Sequence, residues 1–119
     1  MNFLQRYGVL IASAVLALVV AAAGVAKLMG VPMMHQSFAI LGLPSWFGYF
    51  IGAAEVAGAI GLFIPRLTGH AALGLAIIGA GAVYFHLAHT PISQGVPAVV
   101  VLLLSLYIVV KRRGPLIKA

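Results

Sequence analysis

One carboxylic acid, Glu55, stands in a chain of 119 residues that also holds seven lysines and arginines and four histidines. It falls in the middle of a long apolar stretch, and a charged side chain at mid-membrane costs from about 2.5 kcal/mol upward. Such an acid is either protonated or held by a cation or a hydrogen-bond donor. Lys27 is the candidate cation, and His86 is the candidate imidazole. His89 follows His86 at i+3, on much the same helical face. A carboxyl and an imidazole close together suit the two oxygen-bearing ends of a quinone, and they could relay a proton. With His35 added, the same groups would form a metal or proton-transfer cluster. Two histidines at i, i+3, without the spacing of a known site, are weak grounds for a metal, so no metal centre is expected. The plainer reading makes His86 a neutral hydrogen-bonding core residue and His89 an interface residue. Trp46 and Tyr84, with Phe47, Tyr49, Phe50 and Phe85, form either an aromatic belt at the membrane boundary or a ring-stacking wall, and the belt is preferred.

The elements that must position these groups follow from composition. Apolar residues make up 64% of the chain and charged residues 7%, far below the roughly 25% charged of an ordinary soluble domain. A free soluble domain, a disordered chain and a nucleic-acid binder are excluded, since the basic residues lie at termini and turns and form no face that could track phosphates. The absence of cysteine removes disulfide frameworks, thiolate metal sites and thiol redox chemistry. An integral membrane protein remains.

A bilayer core needs about 20 mostly apolar residues in a helix. The expectation is an all-α bundle of four membrane helices running up, down, up and down, over residues 8–29, 46–64, 71–88 and 96–110. A short interfacial helix over 33–41 lies between the first two, and residues 111–119 form a cytoplasmic tail. The fourth stretch is short and spans only if its helix starts early, tilts little or lets Lys111 snorkel. Arg6 before an apolar run resembles a signal peptide. The run is too long for one and three more spans follow, so it is read as an uncleaved first helix.

Pro65-Arg66-Leu67-Thr68-Gly69 and Thr90-Pro91-Ile92-Ser93-Gln94-Gly95 read as turns, and short connections make neighbouring helices antiparallel. Arg6, Arg66, Lys111, Arg112, Arg113 and Lys118 then share one side, which the positive-inside rule makes cytoplasmic. Glu55 lies near the midplane, about 13.5 Å from either end of its span at 1.5 Å per residue, and Lys27 is roughly 10 Å shallower. Side chains lean toward the N-terminus of their own helix, so Lys27 and His86 lean inward and Glu55 leans outward. Lys27 either pairs with Glu55 or snorkels to the outer headgroups. Gly48, Gly52, Ala54 and Gly58 around Glu55, and Gly74, Gly79 and Gly81 later, read as close helix packing, or as room for a ligand.

Several of these segments are similar to the DoxX-like family of small four-helix membrane proteins. The resemblance rests on Ala23-Gly24-Val25-Ala26-Lys27-Leu28, on Phe38 through Leu41-Gly42-Leu43-Pro44, and on Ile51-Gly52-Ala53-Ala54-Glu55-Val56-Ala57-Gly58-Ala59-Ile60. It continues in Ile64-Pro65-Arg66 and in Gly81-Ala82-Val83-Tyr84-Phe85-His86-Leu87, and covers about residues 8–110. It implies four membrane helices, in the cytoplasmic membrane if the source is bacterial, with Lys27, Glu55 and His86 on recurring polar positions. Relatives include a subunit of a thiosulfate:quinone oxidoreductase, accessory or assembly proteins and a receptor chaperone. Three functions stay open. One is a redox accessory subunit holding a quinone or other lipid-like molecule in a pocket of Glu55, Lys27, His86, His89, Trp46 and Tyr84. The second is a chaperone or structural subunit that packs on a partner membrane protein or on further copies of itself. The third is an isomerase-like enzyme with Glu55 as acid or base.

The orientation has a direct test. Reporters fused after Ala119 and inserted within Thr90–Gly95 should report opposite faces, the Ala119 fusion cytoplasmic; matching faces would remove the four-span arrangement.

Overall fold

The structure, a computed structural model, describes residues 3–89 and 95–112. It is all-helical over these residues: α1 (Phe3–Leu28), α2 (Pro32–Ile40), α3 (Phe47–Gly61), α4 (Thr68–His89) and α5 (Val96–Lys111). The turn expected over Thr90–Gly95, Gly95 apart, lies outside the described residues. So do the tail with Arg113 and Lys118, and the side chain of Arg6.

The four long helices close a ring. α1 packs most extensively on α3 and α4 on α5, and the α1–α5 and α3–α4 seams join the two pairs. The centre is filled by Leu16 and Val20 of α1, Leu75 of α4 and Ile108 of α5, with Ala12, Ala59 and Ala72 among them. The outside is apolar as well: Leu10, Leu18, Ile60, Ile77, Leu87 and Leu103 are each more than half exposed. A surface of that kind aggregates in water and is at home in lipid. α1 from Tyr7 onward and α4 are long and apolar enough to cross a membrane, while α3 and α5 are shorter apolar helices of 15 and 16 residues.

Helix ends depart from the sequence reading where polar side chains or caps decide them. α1 starts at Phe3, before its apolar stretch, because hydropathy says nothing of a polar first turn that continues a helix. α3 stops at Gly61 and α4 begins at Thr68, earlier than expected. The buried Thr68 hydroxyl donates to the carbonyl oxygens of Leu62 (2.9 Å) and Ile64 (3.2 Å), which folds the chain back at once. α1 and α2 both end in Schellman caps. Gly30 and Gly42 each take φ +76°, a left-handed backbone that favours glycine. Val31 N–H reaches Ala26 O and Gly30 N–H reaches Lys27 O; Leu43 N–H reaches Phe38 O and Gly42 N–H reaches Ala39 O. Pro32 and Pro44 follow two residues after each glycine, where neither can continue the preceding helix.

Glycines set the two tight seams. A Cβ placed on Gly24 of α1 would lie 2.7 Å from the Gly52 carbonyl oxygen, and one on Gly52 of α3 would lie 2.9 Å from the Gly24 carbonyl oxygen. Gly79 of α4 meets the α5 backbone at Leu102 in the same way, at 3.2 Å. Gly74 and Gly81 face open space. Gly52→Val should therefore separate α1 from α3 and lower stability by about 1–3 kcal/mol or more. Gly74→Ala should be neutral or stabilising by up to about 1 kcal/mol, since only helix propensity changes. Thermal unfolding in mild detergent reads both.

Candidate functional site

The Gly24–Gly52 crossing decides what lies beside it. With backbones this close, Lys27, three residues along α1, has its Cβ against Gly52, while Glu55 has its Cβ against Gly24. The two side chains then lean toward each other from antiparallel helices. Lys27 Nζ lies 2.8 Å from Glu55 Oε1, with the side chains only 11% and 7% exposed. No further hydrogen bond reaches Oε1. Lys27 pairs; it does not snorkel. The depth gap between the two residues is smaller than the sequence reading made it. Lys27 is level with Gly52, so it stands about 4.5 Å, not 10 Å, from the level of Glu55. The reason is that α1 ends about one turn short of the start of α3, and α2 covers the uncovered turn.

That cover is made by two rings. His35 donates from Nε2 to the Lys27 carbonyl oxygen at 2.8 Å, because a carbonyl can only accept. The His35 ring also lies against Gly48 and meets the Tyr49 ring at 4.5 Å. Phe38 meets Phe47 edge-on at 5.4 Å. Between α2 and the start of α3 lies a cavity of about 340 Å³ lined by Gly30, His35, Phe38, Ala39, Leu43, Pro44, Ser45 and Tyr49. Its polar groups are an imidazole, a phenol and a hydroxyl, in a wall that is otherwise apolar.

The other residues singled out by sequence lie apart from the ion pair. His86 is half-buried and borders a second cavity of about 160 Å³ between α4 and α5, with Val83, Leu87, Gly95, Val96, Val99 and Val100. His89 is exposed, with its ring 5.0 Å from that of Phe85. Tyr84 is exposed on α4, and Trp46 is exposed at the start of α3, in contact with Phe47 and Phe50. Glu55 and Lys27 line neither of these two cavities. Among the described residues, no three histidine or acidic side chains gather, so the cluster of His35, Glu55, His86 and His89 is not assembled. Sequence reasoning considers His35 only for a metal or proton-transfer cluster, places Tyr49 among the aromatics of a belt or stacking wall, and does not single out Ser45. The available signal was the repeated glycine–X–proline, Gly30-Val31-Pro32 and Gly42-Leu43-Pro44, which marks a helix bounded at both ends and docked as a unit.

The sequence model of the DoxX-like family matches residues 11–109, from the third turn of α1 nearly to the end of α5. The chain belongs to the DoxX-like family. Searches of curated proteins and of solved structures each find no significant match. In this DoxX-like protein the matched region includes the ion pair, the α2 cover and both cavities.

A buried pair of this kind is costly to break from one side, typically by about 3–5 kcal/mol, because the orphaned charge stays in an apolar setting. Glu55→Ala and Lys27→Met should each destabilise the DoxX-like bundle by roughly that amount, and the double variant by clearly less than the sum. A double-mutant cycle of unfolding in detergent measures the coupling; strict additivity would mean that the two charges do not interact.

Proposed function

We propose that the protein is an accessory subunit of a membrane redox system that holds a quinone or another lipid-like small molecule at the end of the bundle capped by α2. The cavity beside His35 carries this reading. Its volume of about 340 Å³ falls within the range of small-molecule sites, and its mostly apolar wall with a few convergent polar groups is the usual composition of one. Tyr49 and Phe38 offer ring faces, while His35 and Ser45 offer hydrogen-bonding groups to carbonyl or hydroxyl oxygens. Lys27 and Glu55 lie outside the cavity lining, and the Lys27 carbonyl anchors His35 at its edge. His86, at the second cavity, offers a further polar position on α4, while Trp46, Tyr84 and His89 are exposed and could touch a ligand only at the bundle surface. In this reading both termini are cytoplasmic, the host is the cytoplasmic membrane, and the cavity opens at the outer headgroup level. That orientation is supported by the six basic residues that fall on one side of the four spans.

A second reading, an assembly or chaperone subunit, is favoured by one observation. Gly74 and Gly81 leave open space on an exposed face of α4, where a partner helix could approach closely. Native mass spectrometry of the protein in mild detergent separates the two. The first reading expects a co-purifying quinone or lipid, and a rise in melting temperature with added short-chain quinone by mass action. Tyr49→Ala should weaken that binding about tenfold, or about 1.4 kcal/mol, without changing the melting temperature of the empty protein by more than a few degrees. A stoichiometric protein partner, with no ligand and no thermal response, would favour the second reading instead.

A further inference from the structure

We infer that α2 is a movable cover over the cavity, hinged at Gly30 and Gly42 and latched by His35. The inference deepens the ligand-binding reading above and rests on it for the identity of what the cover admits.

Three observations point the same way. The first is the shallow seating of α2: none of its nine residues, Pro32–Ile40, is buried, whereas every other long helix sends buried residues to the core. The second lies at its ends. Each is bounded by a glycine at φ +76° inside a closed Schellman cap, with a proline two residues beyond. These caps mark α1 and α2 as separate units, so a rotation at Gly30 and Gly42 gives up the Val31 and Leu43 N–H cap bonds and moves α2 without unwinding either helix. Left-handed glycine is also where a chain crosses between backbone conformations at least steric cost. The third is the placement of the cavity. His35, Phe38 and Ala39 of α2 form one wall, and Leu43, Pro44, Ser45 and Tyr49 form the other, so lifting α2 opens it.

The latch is built to release. His35 bonds to the backbone carbonyl of Lys27, not to its side chain, and that carbonyl also accepts from Gly30 N–H at 3.0 Å. When His35 leaves, the carbonyl keeps a partner and the Lys27–Glu55 pair beneath is untouched. The ring contact of His35 with Tyr49 is lost at the same moment, which bares the Tyr49 face to an incoming ring. A flat head group enters against the opened Tyr49 face, and the cover closes over it when His35 returns to the Lys27 carbonyl. His35 is thus a positioning residue whose latching sets how fast the site fills and empties.

The natural absence of cysteine makes the test clean. Spin labels at Met33→Cys on α2 and Ile60→Cys on α3, both on exposed positions, report the α2–α3 distance by double electron–electron resonance in nanodiscs without ligand. A control pair at Ile60→Cys and Ile77→Cys reports the bundle itself. His35→Ala should broaden the Met33–Ile60 distribution and leave the control pair narrow. His35→Gln, whose amide nitrogen can reach the same carbonyl, should restore the narrow distribution. With short-chain quinone added, His35→Ala should raise the dissociation rate at least tenfold, and His35→Gln should reverse most of that rise. An unchanged Met33–Ile60 distribution in His35→Ala, or a control pair that broadens equally, overturns the latched cover. Broadening confined to α2 together with no quinone binding in any variant upholds the cover and overturns the ligand reading on its own.

Discussion

The contact of Gly24 with Gly52 governs most of what is distinctive in this bundle. Two backbones that approach until each glycine faces the other's carbonyl oxygen leave no room for a side chain between α1 and α3. They also fix the register between the helices to within a residue. Lys27 and Glu55, one turn on either side of the crossing, are then brought to 2.8 Å. Neither charge could be kept in an apolar interior alone. A one-residue slip would rotate Lys27 about 100° around α1 and leave Glu55 among alkyl groups. The pair therefore penalises every register except one, which is the best-attested use of a buried ion pair.

The same register has a consequence at the end of the bundle. Because α1 stops about one turn short of the start of α3, the first turn of α3 would stand uncovered, with the backbone at Gly48 bare. α2 fills that step. Its histidine lies against Gly48 and adds a second donor to the Lys27 carbonyl in the last turn of α1, which already accepts from Gly30 N–H. A helix that covers a step without being wedged into the core leaves space beneath it, and the cavity is that space. Ion pair, α2 and cavity are thus three results of one crossing.

The four apolar stretches and the intervening short helix were legible because membrane helices need long runs of apolar residues, which only composition has to supply. The approach of Lys27 to Glu55 was legible in direction, from the lean of side chains on antiparallel helices. It was not legible in depth, because depth counted from assumed membrane boundaries ignores where two helices actually cross. Gly24 carried that information, yet a glycine that faces a helix looks in sequence like Gly74 or Gly81, which face nothing. The turn before α4 was displaced for a related reason. The hydrogen bonds of Thr68 to two carbonyls of the preceding segment end α3 early, and threonine gives no such notice in a hydropathy pattern. His35 was underweighted because its role is set by a backbone carbonyl eight residues away, and a backbone acceptor has no sequence signature.

The two halves of the ring differ in what their close contacts permit. On the α4–α5 side, Gly79 meets the α5 backbone and the adjoining cavity is bordered by valines, Leu87 and a single imidazole. There is no ion pair on that side to fix register among the described residues, and apolar packing alone tolerates adjustment. On the α1–α3 side the register is held by charge, so the structure above it can move without the helices beneath it shifting. A cover works only over a frame that stays still, and of the two seams only the one locked by Lys27 and Glu55 provides that frame.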